Sequence, residues 1–353
     1  MPRPADWLRA AVRAVAPYVP GEQPGPGRRV IKLNTNENPY PPSPRVLDAL
    51  ARAIEAGVGR YPDPEASALR ARAAAVYGVP ADHILAGNGS DELIALVLRA
   101  TVDPGARVAF AVPTYSLYET MVTAQGGEAV MPPYPEDFAL PPELAAARAR
   151  VTFLCNPNSP SGTLTPLAKV EALAREVAGI LVVDEAYVDF AHGGSALALV
   201  GRLDNVLVLR TFSKSFSLAG LRIGLAFGHP ELLAGLRTVK DSYNLDRLAL
   251  AAAEAALDDL DWMKGNVAHI RTTRERLVRE LAARDFTVLR SEANFVLARQ
   301  WEVDLAPLAR ALAARDILVR HFATPRLRNA LRIAVGTDPE IDTLLAALDA
   351  VRG

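Results

Sequence analysis

The chain has 353 residues, 50% of them hydrophobic, and its 39 Lys and Arg against 40 Asp and Glu leave a formal net charge of −1. That length and apolar content suffice for one large core and a smaller one, while balanced charge, with no Lys/Arg stripe among aromatics, argues against nucleic acid as a partner. No run of about eighteen apolar residues is present to span a membrane; the single Cys155 excludes an internal disulfide and fits a reducing, cytoplasmic setting, and five scattered histidines lack metal-ligand spacing.

Residues 1–19 carry Arg3, Arg9 and Arg13 among alanines. Asp6, Trp7 and the lack of an uninterrupted apolar core distinguish them from a transit peptide, and the segment is predicted as a helix of the mature protein. The Pro/Gly-rich residues 20–28 separate it from a short strand at 30–33, and 39–44 lead into a helix over 46–56. Residues 1–45 thus form a helix and linking arm.

The next element is an apolar entry, Ile84-Leu85-Ala86, into Gly87-Asn88-Gly89-Ser90-Asp91-Glu92, followed by a helical pattern from Leu93. The free amides of a helix N-terminus attract anions. Gly89, Ser90 and Asp91 are therefore candidates to hold a phosphate, although a simply capped turn has the same pattern. Glu92 occupies the third glycine position of a dinucleotide fingerprint, and no P-loop is present.

Short apolar runs at 108–112, 151–155, 180–183, 206–209 and 223–227 alternate with Ala- and Leu-rich helical patterns. Such alternation predicts a mostly parallel sheet covered by helices on both faces, with ligands outside the strand ends. Tyr115 follows the first run and is placed to stack on a flat ligand. Asp184 and Tyr187 follow the third. A buried carboxylate there can keep a pyridine nitrogen protonated, and a phenol three positions on can hydrogen-bond a ring oxygen.

The loop Thr211-Phe212-Ser213-Lys214-Ser215-Phe216 runs on through Leu221-Arg222-Ile223-Gly224. Lys214 among hydroxyls, with an arginine following, reads as a Schiff-base lysine, Ser213 and Arg222 holding the phosphate of an aldehyde cofactor. Pyridoxal 5'-phosphate fits that description. A solvated Ser-Lys-Ser loop is the plain alternative for this segment alone; the carboxylate and tyrosine upstream decide between them.

From residue 245 the pattern turns to long alanine-rich helix, then strands near 286–289, 294–297, 317–320 and 331–335. This divides the chain into a large domain over 46–244 and a smaller α+β domain over 245–353. Arg320 and Arg332 lie at the end of, or within, these apolar stretches. Burying either requires an anionic partner, supplied by an internal carboxylate or by a substrate.

Taken together, the chain resembles the histidinol-phosphate aminotransferase family of fold-type I pyridoxal-phosphate enzymes. The likeness is carried by Leu33-Asn34-Thr35-Asn36-Glu37-Asn38-Pro39, Arg60-Tyr61-Pro62-Asp63-Pro64, Gly87 to Glu92, Cys155-Asn156-Pro157-Asn158, Val183 to Tyr187, Thr211 to Gly224 and Leu331 to Thr337. The resemblance implies that Lys214 carries the cofactor, Asp184 faces the pyridinium and Tyr187 the phenolic oxygen. It further implies that Ser90, Asp91, Ser213 and Arg222 surround the phosphate, that Thr211 belongs to the cofactor site, that Tyr115 stacks, and that Tyr61 reaches the phosphate of a neighbouring subunit in a homodimer. The chain departs from the family at Ser159-Pro160-Ser161-Gly162, where many relatives read Asn-Pro-Thr-Gly, which leaves the ring-oxygen contact to Asn158. Arg332 is implied to take a substrate carboxylate and Arg320 a further anionic group.

The activity implied is exchange of the amino group between L-histidinol phosphate and 2-oxoglutarate, giving imidazole acetol phosphate and L-glutamate. An aminotransferase for aromatic amino acids, or a related decarboxylase of phosphorylated amino acids, keeps the same motifs. A pyridoxal-phosphate-binding sensor would carry a DNA-binding extension, which the sequence does not show.

Overall fold

The structure is a computed structural model that describes residues 3–25 and 27–352. The predicted N-terminal helix is not continuous: a 3-10 turn over Pro4–Trp7 precedes a single short helix, α1 (Ala10–Ala14). Neither buries a residue. An isolated helix of this length gains too little from its own hydrogen bonds, and Pro17 and Pro20 prevent its extension. Met1 and Pro2 lie outside the described residues.

In chain order there follow β1 (Ile31–Leu33), α2 (Pro44–Glu55), α3 (Ser67–Tyr77), β2 (Ile84–Gly87), α4 (Gly89–Thr101), β3 (Arg107–Ala109), α5 (Leu117–Gln125) and β4 (Glu128–Val130). Next come α6 (Glu143–Ala146), β5 (Val151–Cys155), α7 (Leu167–Glu176), β6 (Ile180–Asp184), β7 (Val206–Thr211), β8 (Gly224–Phe227) and α8 (Pro230–Thr238). The chain closes with α9 (Arg247–Leu257), α10 (Leu260–Ala282), β9 (Thr287–Val288), β10 (Phe295–Arg299), α11 (Ala306–Ala313), β11 (Ile317–His321), β12 (Ala330–Ala334) and α12 (Asp338–Arg352).

Seven strands form the large sheet in the order β2-β8-β7-β6-β5-β3-β4, parallel except for β8, which runs against both neighbours. The centre is apolar because both faces are covered. Along β6, Leu181 and Val183 enter one core while Val182 enters the other, as alternating strand side chains must. The second sheet, β1-β11-β12-β10-β9, packs on α10, α11 and α12 through Leu277, Leu312 and Leu344. This is the α/β architecture expected.

The domain division expected at residue 245 falls within a segment that packs with the large sheet. Leu245, Ala249, Ala252 and Ala256 share one core with Val183 and Val208, and α9 lies against α2 and α3. Side-chain partners change along α10, where Val267 and Ile270 pack with Tyr187 while Leu277 and Leu281 join the second sheet's core. The arm also contributes to that sheet, since β1 pairs in parallel with β11. Composition alone cannot assign an alanine-rich helix to one core or the other. Among the described residues no helix is long and apolar enough to cross a membrane.

Candidate active site

Three segments converge where β6, β7 and α4 meet. Asp184 ends β6, Thr211 ends β7, and the chain turns back through residues 212–223 into β8, presenting Lys214 and Arg222 beside the N-terminus of α4. Close approach requires glycine. A Cβ on Gly224 would lie 2.7 Å from the carbonyl carbon of Gly89 and 2.8 Å from the amide nitrogen of Ser90. Gly89 adopts φ +79°, and a Cβ there would meet Arg222 Nη2 at 2.7 Å.

A cavity of about 320 Å³ opens at this point. Ser90, Asp91, Tyr115, Thr211, Ser213 and Arg222 line one part of it. Arg222 donates to Ser213 Oγ at 3.2 Å and to Asp91 Oδ2 at 3.3 Å, while the Tyr115 hydroxyl donates to Asp91 Oδ1 at 3.1 Å. Thr211 Oγ1 donates to Ser213 Oγ at 3.0 Å. Helix-terminal amides, the hydroxyls of Ser90, Thr211 and Ser213 and a guanidinium make this an anion cradle.

Asp184, Tyr187 and Lys214 line the same cavity. Asp184 is buried; its Oδ2 accepts from the Tyr118 hydroxyl at 2.7 Å and its Oδ1 from the Ala186 amide at 3.1 Å. Burial outweighs these bonds and raises its pKa to about 6. The Tyr187 ring packs edge-on against Phe295, and its hydroxyl accepts from Asn36 Nδ2 at 3.1 Å. Burial lifts this phenol to about 12. Lys214 Nζ donates to the Thr35 carbonyl at 3.3 Å. Its pKa falls to about 8, first because the amine is desolvated and then because Arg332 is nearby.

Arg332 and Arg320 reach the cavity from the second sheet, on neighbouring strands where they are register partners. Arg332 Nη2 donates to the Asn34 carbonyl at 2.8 Å and Nη1 to Ser159 Oγ at 3.1 Å, while its buried Nε has no hydrogen-bond partner among the described residues. Phe295 and Phe322 lie beneath its guanidinium at 5.4 and 5.7 Å. Among the described residues no carboxylate pairs with it. Arg320 donates to the backbone carbonyls of Val19 and Pro20, holding the arm where Tyr18 stands edge-on to Tyr115.

Three expected site residues do not line the cavity: Gly89, which precedes Ser90 at the start of α4, Asn158 and Tyr61. Asn158 is buried, and its amide is spent on the Pro113 carbonyl, Ser161 Oγ and Thr114 Oγ1; Ser159 lines the cavity instead. The register of the Ser-Pro-Ser-Gly turn thus presents the serine and withdraws the asparagine before it. Tyr61 is 77% exposed and stacks on Tyr243 at 4.2 Å, outside the cavity.

No sequence signal singles out Tyr118 or Thr35, Asn36 has no role assigned from sequence, and Ser159 is marked there only as a departure from the family pattern. The Asn34-Thr35-Asn36-Glu37-Asn38-Pro39 stretch was a signal without an assignment, and Tyr118 follows Tyr115 by one helical turn.

Residues 28–348 match the family model for aminotransferases of class I and II. The chain belongs to that family. Among class I and II aminotransferases it is 46% identical over 344 residues to histidinol-phosphate aminotransferase 1 of Trichormus variabilis, covering 97% of this chain and 98% of the relative. It is 43% identical to the histidinol-phosphate aminotransferase of Geotalea daltonii, again over 97% and 98% of the two chains. The crystal structure of histidinol-phosphate aminotransferase from Sinorhizobium meliloti in complex with pyridoxal-5'-phosphate superposes with a TM-score of 0.89 at 31% identity, covering 98% of this chain and 97% of that one.

Proposed function

We propose that this aminotransferase exchanges the amino group of L-histidinol phosphate with 2-oxoglutarate, forming imidazole acetol phosphate and L-glutamate, with pyridoxal 5'-phosphate as cofactor. The observation that carries this reading is the enclosure of Lys214, Asp184 and an anion cradle in one cavity, with two arginines that no carboxylate among the described residues neutralises.

The residues fit the cofactor. The glycines at 89 and 224 leave room where a Cβ would block the cradle, and the carboxylate of Asp184 can hold a proton on a pyridine nitrogen. When bound, pyridoxal phosphate supplies an aldehyde that exchanges amines and a ring that accepts the electron pair left on the substrate carbon.

Lys214 Nζ would hold the cofactor and, when free as an amine, would take the proton from the substrate carbon bearing nitrogen. A pKa near 8 suits that work, because the amine is neutral often enough to accept a proton and basic enough to do so. The Tyr187 hydroxyl, which accepts from Asn36, keeps its own proton to donate to the ring oxygen. Arg332 offers a planar fork to the carboxylate of glutamate or 2-oxoglutarate, and Arg320 an adjacent cation to the substrate phosphate. Gly89, Ser90, Asp91, Thr211, Ser213 and Arg222 would hold the cofactor phosphate, and Tyr115 would stack on its ring.

The functional unit proposed is a cytoplasmic homodimer. Leu47, Ile54, Val58 and Tyr61 are exposed on and just beyond α2, an apolar face suited to a second copy, in which Tyr61 would serve the partner's cradle.

Product stoichiometry tests the reaction. With L-histidinol phosphate and 2-oxoglutarate, one glutamate is expected per keto product. Carbon dioxide released from a phosphorylated amino acid without any keto acceptor would instead identify a decarboxylase.

A further inference from the structure

Tyr118 is fully enclosed, and its hydroxyl donates to Asp184 Oδ2 at 2.7 Å, with the Cys155 thiol also within its reach. A buried phenol needs an acceptor, and this one has taken the carboxylate on which the site depends. Its ring is fixed by Phe153, stacked at 4.8 Å, and by Phe110 and Tyr115, edge-on at 5.8 and 5.5 Å. The hydroxyl is therefore held in place by three aromatic neighbours as well as by α5, whose first turn carries it.

We propose that Tyr118 is the positioning residue of this site, its hydroxyl keeping the Asp184 carboxylate ionised and oriented toward the cofactor's ring nitrogen. The proposal rests on the reading of Asp184 given above. Asp184 has one partner on each oxygen, Tyr118 on Oδ2 and the Ala186 amide on Oδ1, so the plane of the carboxylate is set from both sides. The other titratable groups near it are Asp91, Cys155, Tyr187 and Lys214. Asp91 and burial both favour the protonated acid, whereas Tyr118 and Lys214 favour the carboxylate. Of these two, Tyr118 is bonded to it directly. Burial and the adjacent Asp184 raise the phenol's own pKa well above its usual value, so it remains a donor throughout the working range.

The chemistry predicts a spectroscopic consequence. If the carboxylate is less firmly ionised, the ring nitrogen is less cationic and withdraws less charge from the nitrogen of Lys214 bonded to the cofactor. That nitrogen then keeps its proton to higher pH. Tyr118→Phe retains the stacked ring and removes only the hydroxyl.

The experiment is a pH titration of the visible absorption band of the holoenzyme for the wild type, Tyr118→Phe and Asp184→Asn, with donor kinetics measured alongside. The midpoint should move upward in Tyr118→Phe by about half a pH unit, and further in Asp184→Asn, as expected when one hydrogen bond to a charged group is lost. The turnover number should fall about tenfold while KM for the donor changes by less than about twofold, the pattern of an interaction made in the transition state. A Tyr118→Phe midpoint equal to the wild type's, with Asp184→Asn displaced, overturns the role of Tyr118. An undisplaced midpoint in Asp184→Asn overturns the reading of Asp184, and the proposal with it.

Discussion

Lys214 and Arg332 are moored to consecutive backbone carbonyls: Lys214 Nζ donates to Thr35 O and Arg332 Nη2 to Asn34 O. Two cations from different sheets are thereby held within electrostatic reach, at the end of β1 where the arm enters the site. Desolvation and the nearby guanidinium both disfavour a charged Lys214. The arm thus fixes the positions of both side chains, the proposed base and the proposed substrate anchor, together.

A consequence is that reconstitution of apo-protein with pyridoxal phosphate should rise with pH through about 8 and level off above it, because only the neutral amine attacks an aldehyde. Replacing Arg332 by Met removes a neighbouring positive charge and should shift that midpoint upward. Stopped-flow growth of the visible band measures both. A midpoint unchanged in Arg332→Met would show that the guanidinium does not act on the amine.

The glycine cradle predicts a cofactor-retention defect. In Gly224→Ala the new methyl meets backbone atoms of Gly89 and Ser90 at less than 3 Å, and backbone cannot rotate away as a flexible side chain can. We expect cofactor affinity, measured by equilibrium dialysis, to fall about tenfold or more, corresponding to about 1.4 kcal/mol or more. Retention equal to the wild type's would mean that the cradle lies elsewhere.

Behind the site lies a buried ionic network. Arg210 bonds both Glu185 and Asp189, Ser215 donates to Asp189, and Ser195 donates to Glu185, so the residues beside Asp184, Thr211 and Lys214 are tied together. Arg210→Met leaves Glu185 buried without its cation, a change that costs about 3–5 kcal/mol. Differential scanning calorimetry should show a marked drop in Tm. A drop confined to a degree or two would show that Glu185 finds another partner or takes up a proton without penalty.

Donor selection should depend unequally on the two arginines. Arg320→Met should raise KM for L-histidinol phosphate more than for L-glutamate, and Arg332→Met should impair glutamate strongly, because loss of a charged fork costs about 2–5 kcal/mol when the paired anion is enclosed. Steady-state kinetics with each donor checks the assignment. Equal effects of both substitutions on both donors would contradict it.

The strands, and the gathering of Asp184, Tyr187 and Lys214 at one cavity, were legible because each is encoded locally, as a continuous apolar run or as a polar side chain beside one. Contacts across the fold were less legible. Tyr118 meets Asp184 from 66 residues away and Asn36 meets Tyr187 from 151 away, and neither pairing has a local pattern. The Asn158 expectation failed at the finest scale, since neighbouring side chains in a turn face different surroundings. Alanine-rich periodicity also showed that α9 and α10 are helical without showing which core each would join.

The measurement that tests the central claim most directly is a half-reaction followed by absorbance. Purified holoenzyme is mixed separately with L-histidinol phosphate, L-glutamate and L-phenylalanine, and loss of the visible band is timed. The account predicts rapid bleaching by the first two and weak bleaching by phenylalanine. Bleaching by phenylalanine in preference, or none by histidinol phosphate, would contradict the assigned substrate and identify an aminotransferase with a different donor.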